Sequence, residues 1–165
     1  MPAAVWMATL IPLMAAAQAP PKYIPPPPVQ PLPFSHRLHA AAGLDCKHCH
    51  EMPEPGEFAT LPATAKCMAC HSAVKKDSPH IQRLGEHHQK GEPVPWKRVY
   101  RIPDYVFFSH KEHLARAKAT CETCHGPVRE REVLRKEKET SMAACMDCHR
   151  AAGASNECTF CHDQR

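Results

Sequence analysis

Apolar residues form one uncharged run near the start of the chain, at residues 3–17. At about fifteen residues this run is short for a membrane span, which needs about twenty. It fits the hydrophobic region of an export signal, and the small residues Ala15, Ala16 and Ala17 suit a signal peptidase. No basic residue precedes the run, so a retained anchor is the alternative. The pattern predicts an export signal or membrane anchor over residues 1–19.

Proline and charge patterns then divide the rest of the chain. Residues 20–33 contain eight prolines and are predicted to form an extended linker of polyproline II type. Residues 93–103, with Trp96 and Tyr100, are predicted to be part of an extended connector over residues 91–107. Charges of both signs alternate along residues 128–140, which favours a solvated helix or loop. Regular secondary structure is therefore expected only as short helices between these segments.

The composition excludes a conventional hydrophobic core. The chain has 165 residues, of which ten are cysteine, thirteen histidine and eighteen proline, while aromatic residues make up 6%. So few aromatic side chains argue against a doubly wound α/β enzyme, a jelly roll or a coiled coil. We therefore expect that something other than side chains fills the interior.

All ten cysteines belong to five copies of the motif C-x-x-C-H. This is the attachment signature of c-type haem, in which two thiols bond the haem vinyl groups and the histidine binds the iron. Structural zinc, a disulfide framework or a redox dithiol would not require a histidine after every pair. The predicted attachment residues are Cys46, Cys49, Cys67, Cys70, Cys121, Cys124, Cys145, Cys148, Cys158 and Cys161, and the predicted iron ligands that follow them are His50, His71, His125, His149 and His162.

Five covalently bound haems would account for the unusual composition. The macrocycles would form the core, so the expected fold is mostly irregular, with short α-helices around the attachment motifs. A chain of this kind is not expected to fold without its cofactor. Because each haem also brings two propionates, the formal charge of +4 does not indicate a nucleic-acid partner.

A repeated phrase supplies candidates for the second iron ligand. Residues 34–39 read F-S-H-R-L-H and residues 108–113 read F-S-H-K-E-H, and each copy precedes two attachment motifs. The repeat predicts a two-haem unit over residues 34–90 and a three-haem unit over residues 108–165. Two imidazoles one helical turn apart can reach two different haems. The predicted distal ligands of four irons are His36, His39, His110 and His113.

The sequence leaves three possibilities for the distal ligand of the fifth haem. Met142 lies three residues before Cys145, and a thioether ligand would raise the potential of that haem; an apolar contact with a haem face is the other role open to it. The imidazole alternatives are His80, His87 and His88. An open site is the third possibility, whereas the ring of His48, inside an attachment loop, is expected to face solvent.

These motifs resemble those of the class III multihaem cytochromes of c3 or c7 type over residues 34–165. Residues 95–110, together with Ser141–Cys145, are similar to the pentahaem subunits of membrane quinol-oxidising complexes, of which alternative complex III is an example. The resemblance implies bis-histidine haems packed in a chain for electron relay, with one histidine–methionine haem possible. The chain differs from such subunits in being short and in lacking a long N-terminal membrane region.

The sequence thus predicts an electron carrier rather than an enzyme, located in the periplasm or another extracytoplasmic space, with possible anchoring through residues 3–17. Its expected partners are redox proteins, above all subunits of a membrane respiratory or photosynthetic complex. Neither nucleic acid nor a small-molecule substrate is expected. The competing interpretations are a multihaem reductase with one open haem and a subunit of an extracellular cytochrome filament.

Overall fold

The computed structural model describes residues 24–162, and within that range all regular structure is helical. The predicted export segment over residues 1–19 lies outside the described residues. The helices in chain order are α1 (His36–Ala41), α2 (Cys46–Cys49), α3 (Thr64–His71), α4 (Pro79–Gln89), α5 (His110–Ala115), α6 (Cys121–His125), a 3₁₀ turn (Val128–Glu130), α7 (Met142–Ala151) and α8 (Cys158–Cys161). The prediction of an irregular fold with short helices is confirmed.

The serine of each repeated phrase starts a helix. Ser35 Oγ accepts a hydrogen bond from the Leu38 amide (3.0 Å), and Ser109 Oγ accepts one from the Glu112 amide (3.2 Å). Such caps satisfy amides that have no partner in the first turn of a helix. Both histidines of a phrase therefore lie on one short helix, three positions apart and on the same face.

The hydrophobic core is very small. Among the described residues, the only buried hydrophobic side chains are Leu32, Leu84 and Val94. Around them pack Cys67, Met68, Ile81 and Trp96. This cluster joins α3, α4 and the connector, and it cannot stabilise a chain of this length by itself.

The end of the predicted linker belongs to this packed body. Leu32 is only 4% exposed. The side-chain amide of Gln30 donates to the Lys97 carbonyl (2.8 Å) and its oxygen accepts from the Lys97 amide (2.9 Å). Residues 30–32 therefore lie along the connector instead of forming a free spacer.

Matching main-chain hydrogen bonds join the two repeated units. The Arg37 amide donates to the Arg131 carbonyl, and the Lys111 amide donates to the Gly56 carbonyl, both at 3.0 Å. Arg37 and Lys111 each follow the first histidine of their phrase, and both acceptors lie six residues after an attachment-motif histidine. Each unit thus binds the first helix of the other through an equivalent hydrogen bond, so the two contacts are related by an approximate two-fold symmetry.

Within residues 24–162, no helix has the length and hydrophobicity of a membrane span.

Candidate haem-binding sites

Four pairs of histidine rings face each other at nearly the same distance. In every pair one ring comes from a repeated phrase and the other from an attachment motif. The ring centroids are 6.5 Å apart for His36–His50, 6.1 Å for His39–His71, 6.5 Å for His110–His125 and 6.0 Å for His113–His149. The structure therefore brings all four predicted phrase histidines to four of the five motif histidines.

This distance fits one metal ion between two imidazoles. Metal–imidazole bonds are about 2 Å long and a ring centroid lies about 1.1 Å beyond the bonded nitrogen, so two opposed ligands place their centroids about 6.2 Å apart. The ring planes of the first pair of each unit are also nearly parallel, with interplanar angles of 11° for His36–His50 and 4° for His110–His125.

Main-chain carbonyls hold six of these rings by Nδ1. Because a carbonyl can only accept, Nδ1 carries the proton and Nε2 keeps its lone pair for a metal. The Nδ1–oxygen distances are 2.7 Å for His39–Ser35, His113–Ser109 and His110–Glu57, 2.8 Å for His50–Thr60 and His149–Ser155, and 3.0 Å for His71–Val74. The Ser35 and Ser109 acceptors belong to the repeated phrase, whereas the other four lie at varied distances along the chain and no motif in the sequence identifies them.

The phenylalanine of each phrase packs against both histidine rings of that phrase. Phe34 stacks on His39 (centroids 4.4 Å apart) and meets His36 edge-on (4.8 Å). Phe108 makes the same two contacts with His113 (4.5 Å) and His110 (4.8 Å). The aromatic anchor is therefore repeated in structure as it is in sequence.

Two of the paired imidazoles are held in the neutral form that binds metals. Burial, with His50 and His39 close by, lowers the pKa of His36 to about 4. Burial and the neighbouring His110 also lower the pKa of His125. Nδ1 of His36 is buried and has no hydrogen-bond partner within the described range.

Cysteine side chains of different motifs lie close together. Burial raises the pKa of Cys121 and the nearby Cys46 thiol raises it further; the same holds for Cys67 beside Cys49 and for Cys124 beside Cys148. Burial likewise raises the pKa of Cys145, and the thiols of Cys124 and Cys161 are among its neighbours. We number the five motifs as candidate attachment sites 1 to 5 by their order in the sequence; these neighbours, together with the ring pairs and the hydrogen bonds between the units, give the spatial order 2, 1, 3, 4, 5.

Site 5 differs from the other four sites. Nδ1 of its histidine, His162, is 3.3 Å from the Tyr105 carbonyl oxygen, and its ring stacks on Tyr105. In residues 24–162 no second imidazole ring faces it. Met142, the methionine candidate for this site, is exposed at the start of α7.

The imidazole candidates for site 5 lie elsewhere. His80, His87 and His88 are on α4, which packs against α3, the helix that carries site 2. His88 is 3.4 Å from the Thr64 hydroxyl, and Nδ1 of His87 is buried without a partner within the described range. The structure thus brings these histidines to the opposite end of the row of sites from His162.

A covalently bound haem fits these residues. Large aromatic side chains beside the motifs are open, with Phe58 67% and Phe160 59% exposed, although such side chains normally lie in a core. The Thr140 hydroxyl is buried and has no partner in the described part of the chain. The same range contains no group of three or more side chains placed to hold a metal ion without a cofactor. Open apolar surface, paired imidazoles and adjacent thiols are what a macrocycle with a central iron requires.

Comparisons with known proteins agree with this chemistry. A profile of the class III cytochrome c family matches residues 12–93, and a profile of cytochrome c7 and related cytochromes c matches residues 106–163. The chain belongs to the class III, cytochrome c7-like multihaem c-type cytochromes, a family of electron-transport proteins. A relative in Nitratidesulfovibrio vulgaris, the multihaem cytochrome c subunit of menaquinone reductase, is 34% identical over 160 residues, covering 81% of this chain and 76% of the relative.

Proposed function

We propose that this chain is an exported pentahaem cytochrome that carries electrons between subunits of a membrane quinone-linked respiratory complex. The observation that supports this most directly is the row of four opposed imidazole pairs, 6.0–6.5 Å apart, built from the two repeats. The bound haem iron supplies one-electron chemistry. The histidine pairs of the chain would hold the iron and exclude other ligands, and the fold keeps the sites next to one another.

The paired histidines suit a carrier better than an enzyme. With a haem bound at sites 1 to 4, each pair would supply two ligands to the iron, which would leave no position for a substrate there. Carbonyl acceptors on Nδ1 hold most of these rings in place, and an axial set that does not move lowers the rearrangement that accompanies a change of charge.

The spatial order of the sites defines the path that electrons would take along the molecule. Site 1 adjoins site 2 through α1, because His36 and His39 are on that helix. Sites 3 and 4 are joined in the same way by α5. The reciprocal hydrogen bonds of Arg37 and Lys111 bring sites 1 and 3 together. Sites 2 and 5 are therefore the two ends, where partner proteins would exchange electrons with the chain.

For site 5 we propose Met142 as the distal ligand. Met142 and Cys145 are three residues apart on α7, so they lie on the same face of that helix. The Cys145 thiol has Cys161, a thiol of site 5, among its neighbours. Helix α4 packs at site 2 instead, which argues against His80, His87 and His88.

The location and partners follow from the chemistry and the relative. Attachment of c-type haem takes place outside the cytoplasm, so the proposed location is the periplasm, with residues 3–17 as signal or anchor. The relative's name places it in a menaquinone reductase. By analogy, the partners of this chain would be redox subunits of a quinone-reactive membrane complex.

Two measurements test the proposal. A pyridine haemochrome assay on the holoprotein should give five haems per chain; three or fewer would contradict the assignment of the motifs. Tagged protein purified from native membranes should bring with it subunits that carry redox cofactors and react with quinone. Recovery of the tagged chain alone, with fully reducible haems, would contradict membership of a complex.

A reductase is the second candidate function, because site 5 has no second imidazole among the described residues. Cyanide or nitrite should bind one haem of the purified protein if that site is open. A spectrum that is entirely low-spin before addition and unchanged after addition of either ligand would exclude the reductase.

A further inference from the structure

Tyr100 makes more contacts with site 3 than its position in a connector suggests. Its hydroxyl donates to the carbonyl of His125, the motif histidine of that site, at 3.2 Å. Its ring packs on the His125 imidazole with centroids 4.6 Å apart and planes 80° apart. The tyrosine therefore holds both the main chain and the ring of this ligand.

The same hydroxyl also anchors the segment that follows the 3₁₀ turn. The amides of Glu137 (3.0 Å) and Lys138 (3.2 Å) both donate to the Tyr100 oxygen. One donated and two accepted hydrogen bonds use the full capacity of a hydroxyl oxygen. Because three main-chain groups converge on one half-buried oxygen, the position of Tyr100 is tightly determined.

The segment held by Tyr100 continues to the other unit. The Glu137 carboxylate pairs with the Arg131 guanidinium at 2.5 and 2.9 Å. The Arg131 carbonyl accepts from the Arg37 amide on α1, and α1 carries His36 and His39. Tyr100 is thus the first member of a continuous set of contacts from site 3 to the distal ligands of sites 1 and 2.

Site 1, the counterpart of site 3 in the repeat, is built differently. The ring of His50 is held by Nδ1 on the Thr60 carbonyl at 2.8 Å. Within residues 24–162 the structure gives Nδ1 of His125 no such acceptor, and the contact with Tyr100 takes its place. Tyr100 lies eight residues before Phe108, and the position eight residues before Phe34 is Pro26. The first unit therefore has no equivalent tyrosine.

We propose that Tyr100 is the positioning residue of site 3, which fixes the orientation of the His125 ring and makes the electronic properties of this site differ from those of site 1. The inference rests on the proposed function in requiring a haem at site 3. Partners outside the first ligand shell set ring orientation and ligand basicity, and both properties tune a bound metal.

The test compares Y100F with Y105F in the full-length holoprotein. Y100F removes one oxygen and keeps the ring, and it should shift the low-spin ferric signal and the midpoint potential of one haem while all haems stay bound. The affected signal is assigned by its disappearance from the low-spin set in H110A. Y105F removes the hydroxyl of an exposed tyrosine beside site 5 and should leave the signal of site 3 unchanged.

The outcomes separate the inference from the proposed function. A fall in thermal stability of Y100F with all low-spin signals unchanged would mean a purely structural role and overturn the inference. A wild-type protein without haem at site 3 would instead overturn the proposed function. If Y100F does not mature, 3-fluorotyrosine at position 100, with its more acidic phenol, should shift the same signal; an unshifted signal would overturn the inference.

Discussion

The two repeated units begin alike and end differently. Residues 34–71 and residues 108–149 both contain a serine-capped helix with two histidines, each paired with a motif histidine, and two C-x-x-C-H motifs. After them, the first unit continues into α4 and the small core of Leu32, Leu84 and Val94, whereas the second continues into a third attachment motif. The repeated parts contain the paired histidines. The parts without a counterpart differ: α4 and the small core cover site 2, and the third motif of the second unit adds site 5.

The centre of the molecule shows the same contrast on a smaller scale. Sites 1 and 3 exchange equivalent main-chain hydrogen bonds, but Thr60 holds the proximal ring at one site and Tyr100 holds it at the other. Duplication therefore preserved the geometry of ligation and allowed the surroundings to diverge. Variants that change one unit and leave the other intact can separate the effect of the histidine pairs from the effect of their surroundings.

The largest effect is expected from removing an attachment site at the centre instead of at the end. Replacing Cys121 and Cys124 by alanine should leave no folded protein, since site 3 lies at the contact between units and few side chains are buried elsewhere. Replacing Cys158 and Cys161 should give folded protein with one haem fewer. Haem content and circular dichroism measure both. Equal yields of the two variants would contradict the central position of site 3.

A distal histidine should come next in size. H110A removes one axial ligand and should convert one haem to the high-spin form, and H36A should do the same at the equivalent site. H48A is the control, because the His48 side chain is exposed within an attachment loop. Absorption and electron paramagnetic resonance spectra report the change. Unchanged spectra for H110A would remove this histidine from the ligands.

Comparing these sites with the sequence shows which features are local enough to predict. The attachment motifs and the F-S-H-x-x-H phrase are contiguous, so their chemistry can be inferred from spacing, and the mostly irregular helical fold follows from the lack of core residues. The pairing of each distal with each proximal histidine depends on how α1 and α5 meet the later motifs. The carbonyl of Glu57 on His110 and the hydroxyl of Tyr100 on His125 come from 53 and 25 residues away, and no sequence pattern indicates them.

Substitutions of Met142 test the ligand proposed for site 5, the site that the second unit has in addition to the repeat. M142L keeps an apolar side chain but removes the sulfur, so it should open one haem to cyanide. M142H should keep that haem low-spin and lower its midpoint potential by on the order of 100 mV. M146L, on the same helix, is the matched control and should change neither property. A site that stays closed in M142L would leave Met142 with an apolar contact alone.

Alanine substitutions at two glycines distinguish the cost of backbone strain from the cost of a steric clash between the units. Gly43 (φ +85°) and Gly56 (φ +89°) both have positive φ, so alanine at either position should cost about 1 kcal/mol or more. A Cβ at Gly43 would meet no atom within 4 Å, whereas one at Gly56 would lie 2.5 Å from Cβ of Lys111. G56A should therefore lower the free energy of unfolding by about 1–3 kcal/mol more than G43A does. Guanidinium unfolding measures both losses. Equal losses would show that the two units do not meet closely at Lys111.

The smallest effect is expected from the charges that cross between the units. Lys111 pairs with Glu54 of the other unit at 2.7 Å, and Arg116, directly after α5, pairs with Glu112 of that helix at the same distance. Both pairs are exposed, so double-mutant cycles should give coupling energies of about 0.5 kcal/mol or less at low salt and none at high salt. If the Lys111–Glu54 coupling were several times larger and persisted at high salt, the charges would help to hold the units together. A small, screened coupling means that the main-chain hydrogen bonds and the haems hold the two units together.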